Sequence, residues 1–134
     1  KNEDCADGVL VIWCATAPSG GRRVVGWYKD ATVCRYYESQ LAENSDGSTA
    51  EYSYNVFAKA ENAVLLSEKE RFNPKWNVPG YTRNGDTTFG FGQSNVWYAS
   101  EPGAEEYVKE LVNNIDEYDG PAFIEAYNKR KGRR

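Results

Sequence analysis

The stretch "VLVIWCATAPSGGRRVVGWYKD", residues 9–30, decides the fold. Its first eight residues (9–16) form a continuous apolar run rich in β-branched side chains, which is typical of a strand buried on both faces. "APSGG" then supplies the proline and glycines of a turn, and residues 22–30 return as a second strand. We therefore predict a β-hairpin over residues 9–28, with a bulge or a close backbone approach at Gly26.

Further strands are predicted downstream of this hairpin. "ATVCRYYES" (31–39) forms a third strand after a tight bend at Lys29–Asp30. A half-buried strand follows within residues 51–66, with a short strand at 63–66, because alternate positions there are apolar or aromatic. Residues 67–92 form a long irregular segment, and "QSNVWYAS" (93–100) is the last predicted strand.

The carboxy-terminal part has helical periodicity. Ser100 is the predicted N-cap and Pro102 lies in the first turn. One apolar stripe at helical spacing is formed by Tyr107, Val108, Leu111, Val112, Ile115 and Tyr118. A break at Asp119-Gly120-Pro121 opens a second short helix. The predicted fold is α+β: a small antiparallel β-barrel of the PUA/EVE type, with C-terminal helices packed against it, as one domain over residues 1–128, followed by a basic tail or linker at 129–134.

The composition limits the chemistry that the chain supports. The sequence has no histidine, which excludes Ser-His-Asp and Cys-His machinery and every histidine-containing zinc site. The three cysteines (Cys5, Cys14 and Cys34) have no C-x-x-C spacing, and the carboxylates show no repeated spacing that would pair them. The G-x-G within "FGFGQSN" is followed by a predicted strand instead of a helix, so no phosphate-binding helix terminus is expected there. We expect a binding module without enzymatic activity, metal or cofactor.

The cysteines and the hydropathy suggest a location. We expect the three cysteines to be small buried hydrophobic residues in a reducing compartment, one of them unpaired in any case. No apolar run approaches the roughly 18 residues that a membrane-spanning helix needs. We therefore predict a cytoplasmic protein without a membrane partner.

The charge is unevenly distributed. The formal net charge is −4, yet basic and acidic residues balance between positions 21 and 98, and the excess of acids lies in the helical part at 99–128. Five basic residues follow within 129–134. Because the local field steers a ligand, the acidic total does not exclude nucleic acid.

Aromatic and amide side chains supply the candidate binding site. Aromatic residues make up 14% of the chain, and "GFGQSNVWY" (90–98) combines glycines, amides and flat rings. Such a set suits a planar heterocycle. Amide side chains can hydrogen-bond to its edge, and aromatic rings can stack on its faces. The predicted base pocket comprises Trp27, Tyr28, Trp97, Tyr98, Gln93, Ser94 and Asn95. The predicted phosphate contacts are Arg22, Arg23, Lys29 and Arg35, for which a solvated surface role is the simpler alternative.

The hairpin also carries a family resemblance. "DGVLVIW" (7–13) followed by "GRRVVG" (21–26) resembles the central hairpin of EVE-type domains of the PUA-like superfamily, in which a strand of the type "GDLVVFY" precedes a glycine turn and "RRIVGIAEV". "VVGWYKDATV" with the later "GQSNVWY" resembles amino-terminal modules of bacterial modification-dependent restriction endonucleases. The similarity covers residues 7–38 and 90–99.

The resemblance implies a reader of modified nucleobases. Related EVE, YTH and SRA-type modules take a flipped, modified base into an aromatic pocket on a small β-barrel. It implies that Trp27 and Tyr28 lie near the mouth of such a pocket. It also implies that the chain is a specificity module of bacterial defence. The expected partners are nucleic acid, with DNA favoured over RNA, and a covalently linked nuclease domain. Two alternatives stay open: a protein- or peptide-interaction module that uses exposed sheet aromatics, and a small-molecule or carbohydrate sensor.

Overall fold

A computed structural model describes residues 4–80, 90–91 and 96–122 of the chain. Five strands lie within these residues: β1 (Cys5–Thr16), β2 (Arg22–Glu43), β3 (Thr49–Phe57), β4 (Ala63–Leu65) and β5 (Asn77–Val78). The described helices are α1 (Glu68–Arg71) and α2 (Glu105–Glu117), with 3₁₀ turns at Ala60–Asn62, Pro74–Trp76 and Pro102–Ala104. The predicted second short helix begins beyond this part, since Gly120–Ala122 are not helical and the following residues lie outside the description.

The five strands form one antiparallel sheet organised around β2. The order is β1-β2-β3, and β4 and β5 also pair with β2. The α+β class with a C-terminal helix is therefore confirmed. The closed barrel is not: among the described residues the sheet is open, because β1 and β3 each pair only with β2. The strand expected to close it is absent at Val96–Ser100, and residues 93–95 lie outside the description.

The predicted hairpin forms, and its second strand is longer than expected. Ala17 and Gly20 close the turn, where the Ala17 N–H donates to the Gly21 carbonyl at 2.8 Å. The predicted bend at Lys29–Asp30 does not end the strand. Asp30 instead adopts a left-handed φ of 52°, which a short polar side chain tolerates better than most. Pairing with β3 then begins at Thr32, opposite Phe57.

A large irregularity interrupts the β2–β3 pairing and coincides with a disulfide. Val33 pairs with Val56 and Glu38 with Tyr54, so four residues of β2 lie opposite a single residue of β3. Cys34, at the start of this bulge, is buried and disulfide-bonded to Cys5. The expectation of three unpaired cysteines is thus wrong for two of them, because β1 brings Cys5 next to Cys34. A protein disulfide does not indicate a reducing compartment, so the cysteines no longer support that location.

The chain divides into two compact units. Unit 1 comprises residues 1–11 and 27–63, and unit 2 comprises residues 12–26 and 64–134. The buried apolar residues of unit 1 are Trp27, Ala31, Cys34 and Ala63. Those of unit 2 are Val24, Leu66, Trp76, Val78, Ala104, Leu111 and Ile115.

In unit 2, α2 and Trp76 supply much of the core. Leu111 and Ile115 are the fully buried members of the predicted stripe on α2. The helix begins later than predicted, at Glu105, and Ser100 is not its cap. Trp76 is completely buried, and its indole N–H donates to Glu70 at 2.8 Å, so it is a core residue. No helix in the described part of the chain is long and apolar enough to cross a membrane.

The predicted close approach at Gly26 is also present. A Cβ atom at this position would collide with the carbonyl oxygen of Val64 and lie 3.2 Å from the Cα of Leu65. The Leu66 N–H donates to the neighbouring Val25 carbonyl at 2.8 Å. The segment at 64–66 can therefore lie this close to β2 only where β2 lacks a side chain.

Gly26→Ala should destabilise the protein. The added methyl group meets backbone instead of a flexible side chain, so we expect the free energy of unfolding to fall by roughly 1–3 kcal/mol, as for other overpacked sites. Gly80→Ala is the matched control, because its Cβ would find its nearest neighbour at an ordinary 3.7 Å. Urea denaturation of both variants measures the effect, and equal stability of the two would contradict the steric explanation.

The disulfide predicts the number of reactive thiols. Denatured protein without reductant should contain one titratable thiol per chain, that of Cys14, and reduced protein should contain three. A chromogenic disulfide reagent in denaturant measures both numbers. Cys14→Ser should give none without reductant, and three thiols in unreduced wild-type protein would show that the disulfide is absent.

Candidate functional site

Unit 2 contains an apolar cavity, which we call the aromatic cavity. Its volume is about 90 Å³, and it is lined by Ile12, Cys14, Val78, Phe91, Trp97, Ala99, Tyr107, Val108, Leu111 and Val112. Ile12 and Cys14 are alternate residues of β1 and so share one face of that strand. The lining residues of α2 recur at helical spacing. The cavity therefore lies between a sheet face and the apolar stripe of α2.

Three aromatic rings are held in place around this cavity. Trp97 stacks on Tyr107 with ring centres 6.1 Å apart and an interplanar angle of 25°, and it lies 5.8 Å from Phe91. The Trp97 indole N–H donates to the Glu101 carboxylate at 2.9 Å. The Tyr107 hydroxyl donates to the Asn77 carbonyl at 3.0 Å. Both polar tips are thus satisfied outside the stack, and the ring faces are fixed in the apolar lining.

The electrostatics of the aromatic cavity follow from burial and one cation. Burial raises the pKa of the Cys14 thiol to about 11, and Arg22 opposes this only in part. Burial also raises the pKa of Tyr107, with a smaller contribution from Cys14. Both groups are therefore neutral at neutral pH. The Arg22 guanidinium lies 5.0 Å above the ring of Phe91, so a positive charge is held beside an uncharged lining.

Trp97 and Tyr98, the two predicted pocket aromatics of segment 90–98, differ in their surroundings. Trp97 lines the aromatic cavity, whereas Tyr98 does not and is 86% exposed. The predicted edge-reading residues Gln93, Ser94 and Asn95 lie outside the described residues. In the chain they connect Phe91 to Trp97, two residues that both line the cavity.

The other two predicted pocket aromatics belong to unit 1. Trp27 is only 1% exposed and belongs to the core of unit 1, so its ring does not offer an exposed stacking face. The burial pattern along β2 departs from strict alternation: Val24 and Gly26 are buried, and Trp27, the next residue after Gly26, is buried as well. The alternation shifts by one residue there, which strict periodicity cannot anticipate. Tyr28 is half-buried.

The four predicted phosphate contacts are divided between the two units. Lys29 and Arg35 belong to unit 1, and Arg35 is an exposed side chain 3.8 Å from Asp4, a pair of little energetic weight. Arg22 and Arg23 belong to unit 2, where they pair with Val78 and Asn77, respectively. As consecutive residues of a strand they lie on opposite faces.

Arg23 lines a second cavity of unit 2, which we call the arginine cavity. Its volume is about 200 Å³, and its walls include Thr16, Pro18, Glu68, Arg71 and Phe72. The Arg23 guanidinium lies 5.5 Å from the centre of the Phe72 ring. Sequence reasoning missed Arg71 and Phe72, because they lie 48 and 49 positions from Arg23 in the chain and no local spacing connects them.

One group of side chains in unit 1 has the spacing of metal ligands. The sulfur atoms of Cys5 and Cys34 and a carboxylate oxygen of Glu38 lie within 4.8 Å of one another. The sulfurs are joined in the disulfide, and a metal is bound by thiolates. In this state the group offers a single carboxylate, which is too little for a metal centre.

The raised pKa of Cys14 predicts slow alkylation. At neutral pH the native thiol should react about 100-fold more slowly than an ordinary cysteine, since its pKa is raised from 9.0 to about 11 and only the thiolate reacts. The rate should keep rising with pH up to about 11. Iodoacetamide labelling without reductant, followed by mass spectrometry, measures it. Denatured protein is the control, and equal rates in both states at pH 7 would contradict a buried thiol.

Comparison with known proteins gives no assignment for this chain. No protein-family model matches it, and neither the curated proteins nor the solved structures that were searched contain a match. The resemblance to PUA-like domains therefore stays a hypothesis that rests on residues 7–38 and 90–99.

Proposed function

We propose that the chain is a nucleic-acid-binding specificity module that takes a modified, methylated-type base into the aromatic cavity. The observation that carries this proposal is the fixed arrangement of Phe91, Trp97 and Tyr107 around an uncharged cavity. Flat rings held by hydrogen bonds at their polar tips are pre-organised to receive another flat ring. The sequence resemblance to modified-base readers points to the same class of ligand.

Stacking and burial of a methyl group would offset much of the cost of base capture in such a cavity. Extruding a base from a duplex costs a few kcal/mol, and stacking on an aromatic side chain returns roughly 1–3 kcal/mol. An apolar lining adds about 0.8 kcal/mol for each buried methyl group, which is about a fourfold preference for a methylated base. Gln93, Ser94 and Asn95 are the residues that we propose for reading the edge of the base, from their position in the chain between two cavity residues.

Phosphate contacts would supply affinity without specificity. Of the two predicted phosphate contacts in unit 2, Arg22 is the one beside the aromatic cavity, since its guanidinium lies over the ring of Phe91. Because the chain carries a net charge of −4, binding should depend on such local cations and should weaken with salt. DNA is the proposed partner. A nuclease or another effector linked to this module would then act where the module binds.

The proposal is tested by titrating labelled oligonucleotides that contain or lack one methylated base. We expect tighter binding of the methylated strand at low salt, measured by fluorescence anisotropy. Trp97→Ala should weaken binding roughly 5- to 150-fold, the loss of one stacking contact. Tyr98→Ala is the matched control, because this neighbouring aromatic is exposed and lines no cavity.

A cavity-filling variant separates loss of binding from loss of fold. Cys14→Leu keeps the lining apolar and occupies the space of the base, so it should abolish the preference while leaving the circular dichroism spectrum and the melting temperature close to those of the wild type. Equal binding of methylated and unmodified strands, or no binding of either at low salt, would refute the proposal.

A second candidate function is favoured by unit 1. The β2–β3 arm, residues 33–57, exposes Tyr36, Tyr37, Leu41, Tyr52 and Phe57, and Tyr37 is 72% accessible. The arm carries one arginine against four carboxylates, and within the described residues β3 pairs only with β2. An extended basic peptide added to the edge of β3 would match both features. Failure of every oligonucleotide to bind, with capture of such a peptide that Tyr37→Ser abolishes, would favour this function.

A further inference from the structure

The arginine cavity is lined by two arginines. Arg23 comes from β2 and Arg71 from the end of α1, and both line the same space of about 200 Å³. Two like charges in one cavity repel each other unless something compensates them. Glu68 is the acidic residue of the lining, so the described walls carry two positive charges against one negative charge.

Each arginine is anchored through one nitrogen. The Nη1 of Arg23 donates to the Arg71 carbonyl at 3.1 Å and to the Asn77 side-chain oxygen at 2.9 Å. The Nε of Arg71 donates to the Leu66 carbonyl at 2.9 Å. Both side chains are thereby fixed, which lowers the entropy that a ligand would otherwise have to remove.

The anchors leave several donors unused. A guanidinium has five N–H donors in a planar fork. The Nε of Arg23 is buried and has no acceptor among the described residues, and within those residues the Nη2 of Arg23 and both Nη atoms of Arg71 donate no hydrogen bond either. N–H groups that have no acceptor among the described residues, on two fixed guanidinium groups, are complementary to an oxyanion, and above all to phosphate, whose oxygens accept bidentate bonds from arginine.

The remaining walls fit the rest of a phosphate ester. Pro18, Val25 and the ring of Phe72 give the cavity an apolar side, and Phe72 is 55% exposed. Thr16 adds a hydroxyl to the lining. An anion with an attached organic group would thus place its charge on the arginines and its organic part on the apolar wall.

We infer that the arginine cavity is a phosphate-binding site. It is distinct from the aromatic cavity, because Arg22 and Arg23 lie on opposite faces of β2 and only Arg23 faces Asn77 and Phe72. The inference therefore does not depend on base recognition. The bound phosphate belongs either to a nucleic-acid backbone or to a free phosphate compound, and both sources present the same oxygens to the two arginines.

The first test variant leaves both anchors intact. Glu68→Gln removes the carboxylate from the cavity, so we expect inorganic pyrophosphate to bind about threefold or more tightly by isothermal titration calorimetry at low salt. Glu105→Gln is the matched control, since Glu105 also lies in the first turn of a helix but lines neither cavity. Arg71→Lys keeps the positive charge but loses the planar guanidinium and its hydrogen bond to Leu66, and it should weaken binding. Lys59→Gln, at an exposed cation of unit 1 that lines neither cavity, should have little effect.

The same variants identify the source of the phosphate. If Glu68→Gln also tightens binding of an unmodified oligonucleotide, and pyrophosphate competes with that oligonucleotide, the site holds a backbone phosphate. If only pyrophosphate responds, the site serves a free phosphate compound. Absence of pyrophosphate binding in wild type and Glu68→Gln alike, or equal affinities of Glu68→Gln and Glu105→Gln, would overturn the inference. Trp97→Ala should not change pyrophosphate affinity, so failure of base recognition and failure of this site are separable.

Discussion

Backbone pairing to β2 is the interaction on which the rest of the structure depends. Each of the other four strands hydrogen-bonds to it, and both compact units contain part of it. Successive side chains of a β-strand point to opposite faces of the sheet. In unit 2 this alternation places Arg22 toward Phe91 and Arg23 toward Phe72. One strand thereby contributes to two cavities of different chemistry.

The two cavities of unit 2 differ in the charge of the side chains that line them. The aromatic cavity is lined largely by apolar groups, and burial keeps its thiol and phenol neutral. The arginine cavity is lined by two permanent cations that are held by hydrogen bonds, and the Nε of Arg23 is buried without an acceptor among the described residues. A nucleotide has an uncharged base and a charged phosphate, and the two cavities match these two chemistries. Because they lie on opposite faces of β2, they need not receive the same nucleotide.

Unit 1 has a smaller buried core than unit 2 among the described residues, and it contains a disulfide. Its described buried side chains are few, and most of β2 beyond Cys34 is exposed on both faces. The Cys5–Cys34 disulfide closes a loop with a sequence separation of 29, and such a cross-link stabilises the folded state by roughly 3 kcal/mol through the entropy of the unfolded chain. The covalent bond therefore supports a small core at the point where β2–β3 pairing is interrupted.

The sequence by itself determined the local features of this protein. Hydrophobic runs located β1 and the start of β2, the need for a residue without a side chain marked Gly26, and helical spacing marked Leu111 and Ile115 as core. These features depend on near neighbours in the chain, for which periodicity is a reliable guide. Trp97, a predicted pocket residue, lines the aromatic cavity, whereas its predicted role in holding a base stays a prediction.

Only the tertiary structure decided which of these features act together. It merged two predicted strands into β2, left the sheet open, buried Trp27 after a one-residue shift in alternation, and paired Cys5 with Cys34. It also brought Arg71 and Phe72 to Arg23 across almost fifty residues. Strand register, side-chain burial and contacts between distant residues depend on packing over the whole fold, and a single sequence does not encode them at any local spacing.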